Sequence, residues 1–422
     1  MLYPEDKVPL TRLIPMGLQH VVAMFGATVL APILMGFDPQ VAIFFSGVGT
    51  LIFIATTHMK VPSYLGSSFA FIGPVLAITG GSPERIPEAL CGVACAAVLY
   101  AGAAVITMRW GSAWIDKLMP PVVTGSVVAL IGLNLASSSV THALNASLTL
   151  ATGDDYRKLL VAVLTFSVAA LVAVYLKGFL KLLPILSGVL VGYAVAWTLG
   201  VVEPAALMRV GDAAWLGLPT FTAPRLSLEA ILVIAPVFVV LVAENKGHIA
   251  AISGYMNRDL SPMLGRAYLG DAVATLVSAL GGGTPQTTYA ENMGVMAITR
   301  VFSIYNFIMA AGIAMVLGVC PKFGAVILSI PAPVLGGVTL ILYGLITLMG
   351  AKIWMDAKVD FADHKNLVVA GASLIVATGI GVKGVTVGSL NLAGIAVGTV
   401  LAIVLNGLLS FGVQKAPSQR AM

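Results

Sequence analysis

Residues 287–300 read TTYAENMGVMAITR. This stretch packs a carboxylate (Glu291), an amide (Asn292), a phenol (Tyr289) and a guanidinium (Arg300) into an otherwise apolar chain. It is too short and too polar to cross a bilayer as a straight helix, which takes about 20 apolar residues. Its place between apolar runs points to a broken segment: part extended backbone, part helix, with polar groups facing a cavity. Backbone left unpaired at membrane depth is tolerated only where it is buried in protein or lines such a cavity.

The surrounding chain sets that reading. Its 422 residues are 59% hydrophobic and 10% charged, with a mean hydropathy of +0.99. A soluble domain carries about 25% charged residues, so most of this surface must face lipid. Apolar spans fall at 13–35, 41–57, 89–108, 118–136, 159–176, 182–202, 229–254, 267–283, 301–319, 323–350, 366–382 and 390–413. A second short, broken stretch, SSFAFIGPVLAI, occupies 67–78. Counting both broken stretches, the expected fold is an all-α polytopic membrane protein of about 14 segments. The first span is too long for the core of a cleavable signal, so none is expected. Cys91, Cys95 and Cys320 lie in apolar runs and read as small packing residues, with no disulfide framework and no metal site. A net charge of +5 does not imply nucleic acid, because basic residues here mark a membrane side.

Basic residues orient the chain. With the N-terminus inside, Arg85, Arg157, Lys158, Arg209, Arg225, Lys322 and Lys383 fall at outer ends. Fifteen others, from Lys7 and Arg12 through Arg258, Arg300 and Lys352 to Lys415 and Arg420, fall at inner ends. That asymmetry predicts cytoplasmic N- and C-termini. The chain also repeats itself. HVVAMFG (20–26) aligns with HIAAISG (248–254), SSFA (67–70) with TTYA (287–290), and PVVTGSVVALIG (121–132) with PVLGGVTLILYG (333–344). The three matches keep their order. Two homologous halves with an odd number of crossings each insert with opposite topology, the inverted-repeat plan in which interrupted segments meet near the midplane.

Few ionisable residues lie inside these spans, and each is a functional candidate because it is costly there. They are His20, Glu244, Lys246, His248, Asp271 and Glu291. Glu244 and His248 are four residues apart and share a helix face, so His248 is expected to hydrogen-bond Glu244 and orient it. The competing reading is a self-satisfied pair that fixes packing. Glu291 either serves a ligand beside the N-terminus of a half-helix or caps that helix, and the two roles can coexist. Phe69 and Tyr289 occupy equivalent repeat positions, as a stacking pair for a flat ligand or as packing residues. Asn292 is expected to tie down the break, Asp271 to hold the broken segments in place, and Lys246 to point off the substrate face. Two carboxylates, loose backbone groups and aromatic faces suit a planar, uncharged heterocycle with N–H donors and carbonyl acceptors. A nucleobase has that pattern. A sugar lacks the flat face, and the acids repel an anion.

These residues resemble the nucleobase/ascorbate transporter family, and the bacterial uracil permeases within it. ENMGVMAITR (291–300) follows that family's signature, and LQHVVAMFGATVLAP (18–32), YLGSSFAFIGPV (64–75) and AENKGH (243–248) follow in its order. The resemblance implies fourteen segments in two inverted repeats of seven, with short antiparallel strands in segments 3 and 10. It implies a core domain (1–108 with 225–320) that holds substrate and a gate domain (109–205 with 321–413) that also dimerises. It places base binding on Glu244, Glu291 and Phe69, with backbone groups near Ala27, Tyr289 and Ala290, and coupling on His248. His20 and Tyr343 match polar positions expected in core–gate contact. Two positions depart from the uracil-permease pattern: Ala290 stands where a glycine is expected, and Lys246 where no lysine is expected.

The expected activity is import of a nucleobase, uracil foremost, by proton symport with alternating access across the plasma membrane (the inner membrane of a bacterium). A carboxylate buried in a membrane is poorly solvated in its charged form, so Glu244 is expected to carry the proton with His248 assisting. No cofactor is expected beyond H⁺ as coupling ion. A xanthine, purine or broader pyrimidine symporter is the nearest alternative, followed by an anion exchanger. A membrane enzyme has no supporting nucleophile or metal motif.

Overall fold

The computed structural model describes residues 1–144, 153–382, 384–388 and 390–412; Lys383, Lys415 and Arg420 lie outside them. The first half runs α1 (Leu10–Met35), α2 (Pro39–Thr56), β1 (Leu65–Ser67), α3 (Ile72–Thr79), α4 (Ile86–Trp110), α5 (Ala113–Leu118), α6 (Pro121–Ala143), α7 (Gly153–Tyr175), α8 (Pro184–Thr198) and α9 (Pro204–Asp212). The second runs α10 (Leu228–Ile234), α11 (Phe238–Met256), α12 (Leu264–Leu280), β2 (Gln286–Thr288), α13 (Ala290–Thr299), α14 (Ile304–Gly318), α15 (Pro321–Leu328), α16 (Ala332–Asp356) and α17 (His364–Ile380). The hairpin β3 (Val385–Val387) and β4 (Leu390–Leu392) then leads into α18 (Gly394–Gly412).

Proline sets many of these boundaries. It sits in the first turn of α2, α4, α6, α8, α9, α15 and α16, where its missing N–H has no intrahelical partner to lose. By length and composition, seven helices among the described residues can cross a bilayer, or eight if α14 and α15 count as one span bent by 81°. Two expected spans are interrupted. The 229–254 run breaks at a 3-10 turn, Ala235–Val237, where Pro236 removes a helical donor. The 323–350 run is divided between α15 and α16 at Ser329–Pro331, because the residue before a proline is pushed out of helical conformation.

The centre is held by two extended segments. β1 pairs antiparallel with β2, matching Leu65 with Thr288, Gly66 with Thr287 and Ser67 with Gln286. The pairing continues at both ends, with Ser68 N donating to Pro285 O at 2.9 Å and Tyr289 N to Tyr64 O at 3.0 Å. Thr50 on α2 accepts from Leu65 N at 2.9 Å, and Thr275 on α12 accepts from Gln286 N at 3.0 Å. All six strand residues are buried. Protein groups thus meet backbone donors and acceptors of both strands, as a segment at membrane depth requires. Around this cross, α4 packs on α12, and α14 packs on α1 and α2. On the other side α6 lies along α16. A Cβ at Gly125 would overlap the Trp354 indole, and one at Gly350 would press on the α6 backbone. Small residues at these points let the two helices approach closely.

Candidate functional site

Where the crossed strands end, a cavity of about 280 Å³ opens. α11 lines it with Ala243, Glu244, Gly247, His248, Ala251 and Tyr255, a stripe at helical spacing on one face. The β2–α13 segment adds Thr287, Thr288, Tyr289, Ala290, Glu291 and Met293, and Phe69 stands at the end of β1. The opposite wall comes from α6 (Val128, Ile131) and α16 (Ile346, Met349, Lys352, Ile353, Asp356). Glu244, His248, Thr287, Thr288 and Glu291 therefore converge at one end, facing a wall that is apolar except for Lys352 and Asp356. A second cavity of about 200 Å³, lined by Val22, Ala23, Gly26 and residues 182–186, also borders Ala290 and Glu291.

The buried end is organised by short hydrogen bonds. His248 Nδ1 and Thr288 Oγ1 are 2.7 Å apart, so the imidazole is set by the strand. The expected Glu244–His248 bond is replaced by this one: the two share a helix face, but β2 offers His248 a nearer hydroxyl. Glu244 Oε2 is buried with no hydrogen-bond partner, as is Thr287 Oγ1. Asn245, beside the cavity stripe on α11, donates to Asp271 on α12. Tyr268 donates to Val242 O at 3.0 Å, and Tyr100 to Leu241 O at 3.4 Å. Asp271 thus anchors α11 from behind the cavity. Lys246 likewise does not line the cavity.

α13 starts directly at the cavity. Tyr289 is its N-cap residue, with φ −103° and ψ 126° and no side-chain cap, and Glu291 sits in the first turn. The first-turn N–H groups and the positive end of the helix dipole favour acceptors and negative charge there. Tyr289 lines the cavity, but its hydroxyl donates to Ser67 O at 3.1 Å and its ring lies over Gly66, where a Cβ would collide with it. The ring is thereby committed to β1, so the expected aromatic pair reduces to Phe69. Tyr343 on α16 supports Phe69 edge-on, at 6.5 Å between centroids and 78°. The Tyr343 hydroxyl is buried without a partner.

Ala27 is fully buried in α1 and does not line the cavity. His20 is also buried. Its ring stacks at 4.4 Å on Phe307 of α14, and Asn292 Nδ2 donates to its backbone O and lies 3.1 Å from its Nδ1. His20 and Asn292 therefore join α1 to α13 and α14. Sequence reasoning missed Thr287, Thr288 and Gly66. The alignment of SSFA with TTYA carried the signal, since hydroxyl residues before the aromatic in both copies suit paired extended backbone.

A bundle of apolar helices around two broken segments, with a polar-ended cavity between them, defines a multi-pass membrane protein, and the relatives it matches are named permeases. Residues 11–387 match the model of a family described as the Permease family. Among curated relatives, the chain is 45% identical over 96% of its length, and 91% of the relative's, to RutG of Escherichia coli (strain K12), provisionally described as a pyrimidine permease. It is 40% identical to the uracil permease of Bacillus caldolyticus, over 96% of this chain and 94% of that one. It is also 40% identical to the uracil permease of E. coli (strain K12), over 95% and 92%. The chain belongs to the nucleobase/ascorbate transporter family. Among solved structures, SLC26A9 aligns with a TM-score of 0.68 at 12% identity, over 96% of this chain and 66% of that one. The transmembrane domain of the cyanobacterial bicarbonate transporter BicA aligns with a TM-score of 0.65 at 13% identity, over 96% and 99%. At these identities the likeness is one of fold.

Proposed function

We propose that the chain imports a nucleobase, uracil foremost, by proton symport with alternating access. The observation that carries the reading is the buried, unpartnered Oε2 of Glu244, facing the same cavity as Glu291, Phe69 and the start of α13. A buried polar atom without a partner costs about 1–3 kcal/mol, and a ring N–H of a base relieves that cost. Phe69 offers a stacking face, and the first-turn N–H groups of α13 offer donors to a ring carbonyl. Glu244 carries the transported proton, with His248 beside it. The fold likeness to anion and bicarbonate transporters does not extend to the ligand, because two carboxylates in one cavity repel an anion.

The wider arrangement proposed is fourteen segments in two inverted repeats of seven. Support comes from counting β1–α3 and β2–α13 as one segment each, and α10–α11 as one, beside α1, α2, α4, α6, α7, α8, α12, α14, α16, α17 and α18. Residues 1–108 and 225–320 form the core and 109–205 and 321–413 the gate, with dimerisation through the gate; residues 145–152, 383, 389 and 413 lie outside the described ones. Cytoplasmic termini in the plasma membrane agree with the clustering of charge. Lys158 and Arg209 line one cavity at one end, and Lys322 reaches Gly211 O nearby. Arg258 meets the N-terminal residues at the other end.

Labelled uracil uptake into proteoliposomes under an inward proton gradient tests this. Wild type accumulates the base, and Glu244→Gln is expected to lose gradient-driven accumulation. Full accumulation by Glu244→Gln would remove it from the coupling step.

A further inference from the structure

The N-terminal residues do more than precede α1. Leu2 bridges Val301 in parallel, with Leu2 N donating to Arg300 O at 3.0 Å and Phe302 N to Leu2 O at 2.8 Å. Ser303 Oγ donates to Asp6 O at 2.6 Å, and Ile304 N to Pro4 O at 3.2 Å. This fixes the tail to the α13–α14 connection. From the same tail, Glu5 takes both guanidinium nitrogens of Arg258, at 2.9 and 3.1 Å, and the Arg258 guanidinium lies 3.7 Å over the Tyr3 ring. Arg258 follows the end of α11. The tail therefore ties the C-terminal end of α11 to that of α13, the two helices that carry Glu244 with His248 and Glu291.

Two further observations mark the spot. Both helices end on a left-handed residue that is not glycine: Asn257 at φ +52° after α11 and Arg300 at φ +57° after α13. Such conformations persist where surroundings hold them, and each lies next to a tail contact. Arg300 Nη1 also donates to Tyr255 O at 3.3 Å, and Tyr255 lines the cavity.

We propose that residues 2–6 form a positioning clasp, which locks α11 and α13 as one unit and so sets the spacing of the two carboxylates. The proposal rests on the reading of Glu244 and Glu291 as base-binding groups. Arg258 is the joint: its bidentate pair with Glu5 and its place on Tyr3 link the tail to a helix end.

The test uses the purified full-length chain with Glu5→Arg, Arg258→Glu, the double swap Glu5→Arg/Arg258→Glu, and Tyr3→Phe. Uracil affinity is measured by calorimetry, and hydrogen exchange is followed at residues 250–256 and 290–299. Each charge reversal is expected to weaken uracil binding about 3–5-fold, the scale of an exposed ion pair, and to speed exchange in both helix ends. The double swap restores both to within about 2-fold, and Tyr3→Phe, which keeps the aromatic face, changes neither. Unchanged exchange in the single variants overturns the clasp, whether or not uracil is the ligand. Faster exchange with unchanged uracil affinity overturns its positioning role. Failure of wild type to bind uracil counts against the site reading, while the exchange data still decide the clasp.

Discussion

Glu291 and Glu244 reach one cavity from different elements, and their surroundings differ. Glu291 sits in the first turn of α13, where the helix N-terminus stabilises an acceptor. Glu244 lies mid-helix on α11, beside Thr287 and near His248. Charge-assisted hydrogen bonds are worth about 1.5–3 kcal/mol, so Glu291→Gln is expected to weaken uracil binding by about 10–100-fold by equilibrium titration. Unchanged affinity would take Glu291 out of the ligand's first contacts. The spacing of Glu244 and His248 was legible because a helix face follows from counting residues. The partner of His248 was not, because Thr288 is 40 residues away and reaches it only through strand register.

At the scale of elements, the β1–β2 cross is the part that cannot shift without moving the site. Ser67 Oγ and Thr284 Oγ1 lie 2.6 Å apart, and Tyr289 bridges back to Ser67. A one-residue slip would turn each strand side chain to the opposite face. Gly66 is the tight point, since any Cβ there meets the Tyr289 ring. Overpacking a buried site costs about 1–3 kcal/mol, so Gly66→Ala is expected to lower thermal stability, measured by the Tm of the detergent-solubilised protein. Tyr289→Ala in the same chain should relieve part of that loss. An unaltered Tm for Gly66→Ala would mean the ring moves aside freely. The presence of two broken stretches could be read from their length and polarity. The hairpin β3–β4 could not, because GVTVGSLNL runs into the apolar span at 390–413, and its glycines at 384 and 388, both with positive φ, turn the chain instead.

For the whole molecule, the cavity's direction is the informative feature. From Glu244 and Glu291 it runs past Ala251 and Met349 to Tyr255, Lys352 and Asp356. Arg300, which donates to Tyr255 O, also receives Leu2, so the mouth and the N-terminal tail share one end. Under the proposed cytoplasmic N-terminus, this end of the cavity faces the cell interior. A cysteine replacing Lys352 should then react with a membrane-impermeant maleimide from the inner side and be protected by uracil. Labelling from the outer side alone would reverse the assigned orientation.

The sequence by itself determined that this chain lives in a membrane and breaks two segments around cavity-lining acids, because hydropathy, charge and helical spacing are local properties. It also carried the motifs that mark the family. Only the tertiary structure decided that His248 answers to Thr288, that the Tyr289 hydroxyl is taken by β1, that His20 joins α1 to α13 and α14, and that the N-terminal tail reaches the ends of α11 and α13. Each of these depends on which distant group lies within contact reach, about 3 Å for a hydrogen bond, and that distance is set by how the elements pack, not by the order of residues.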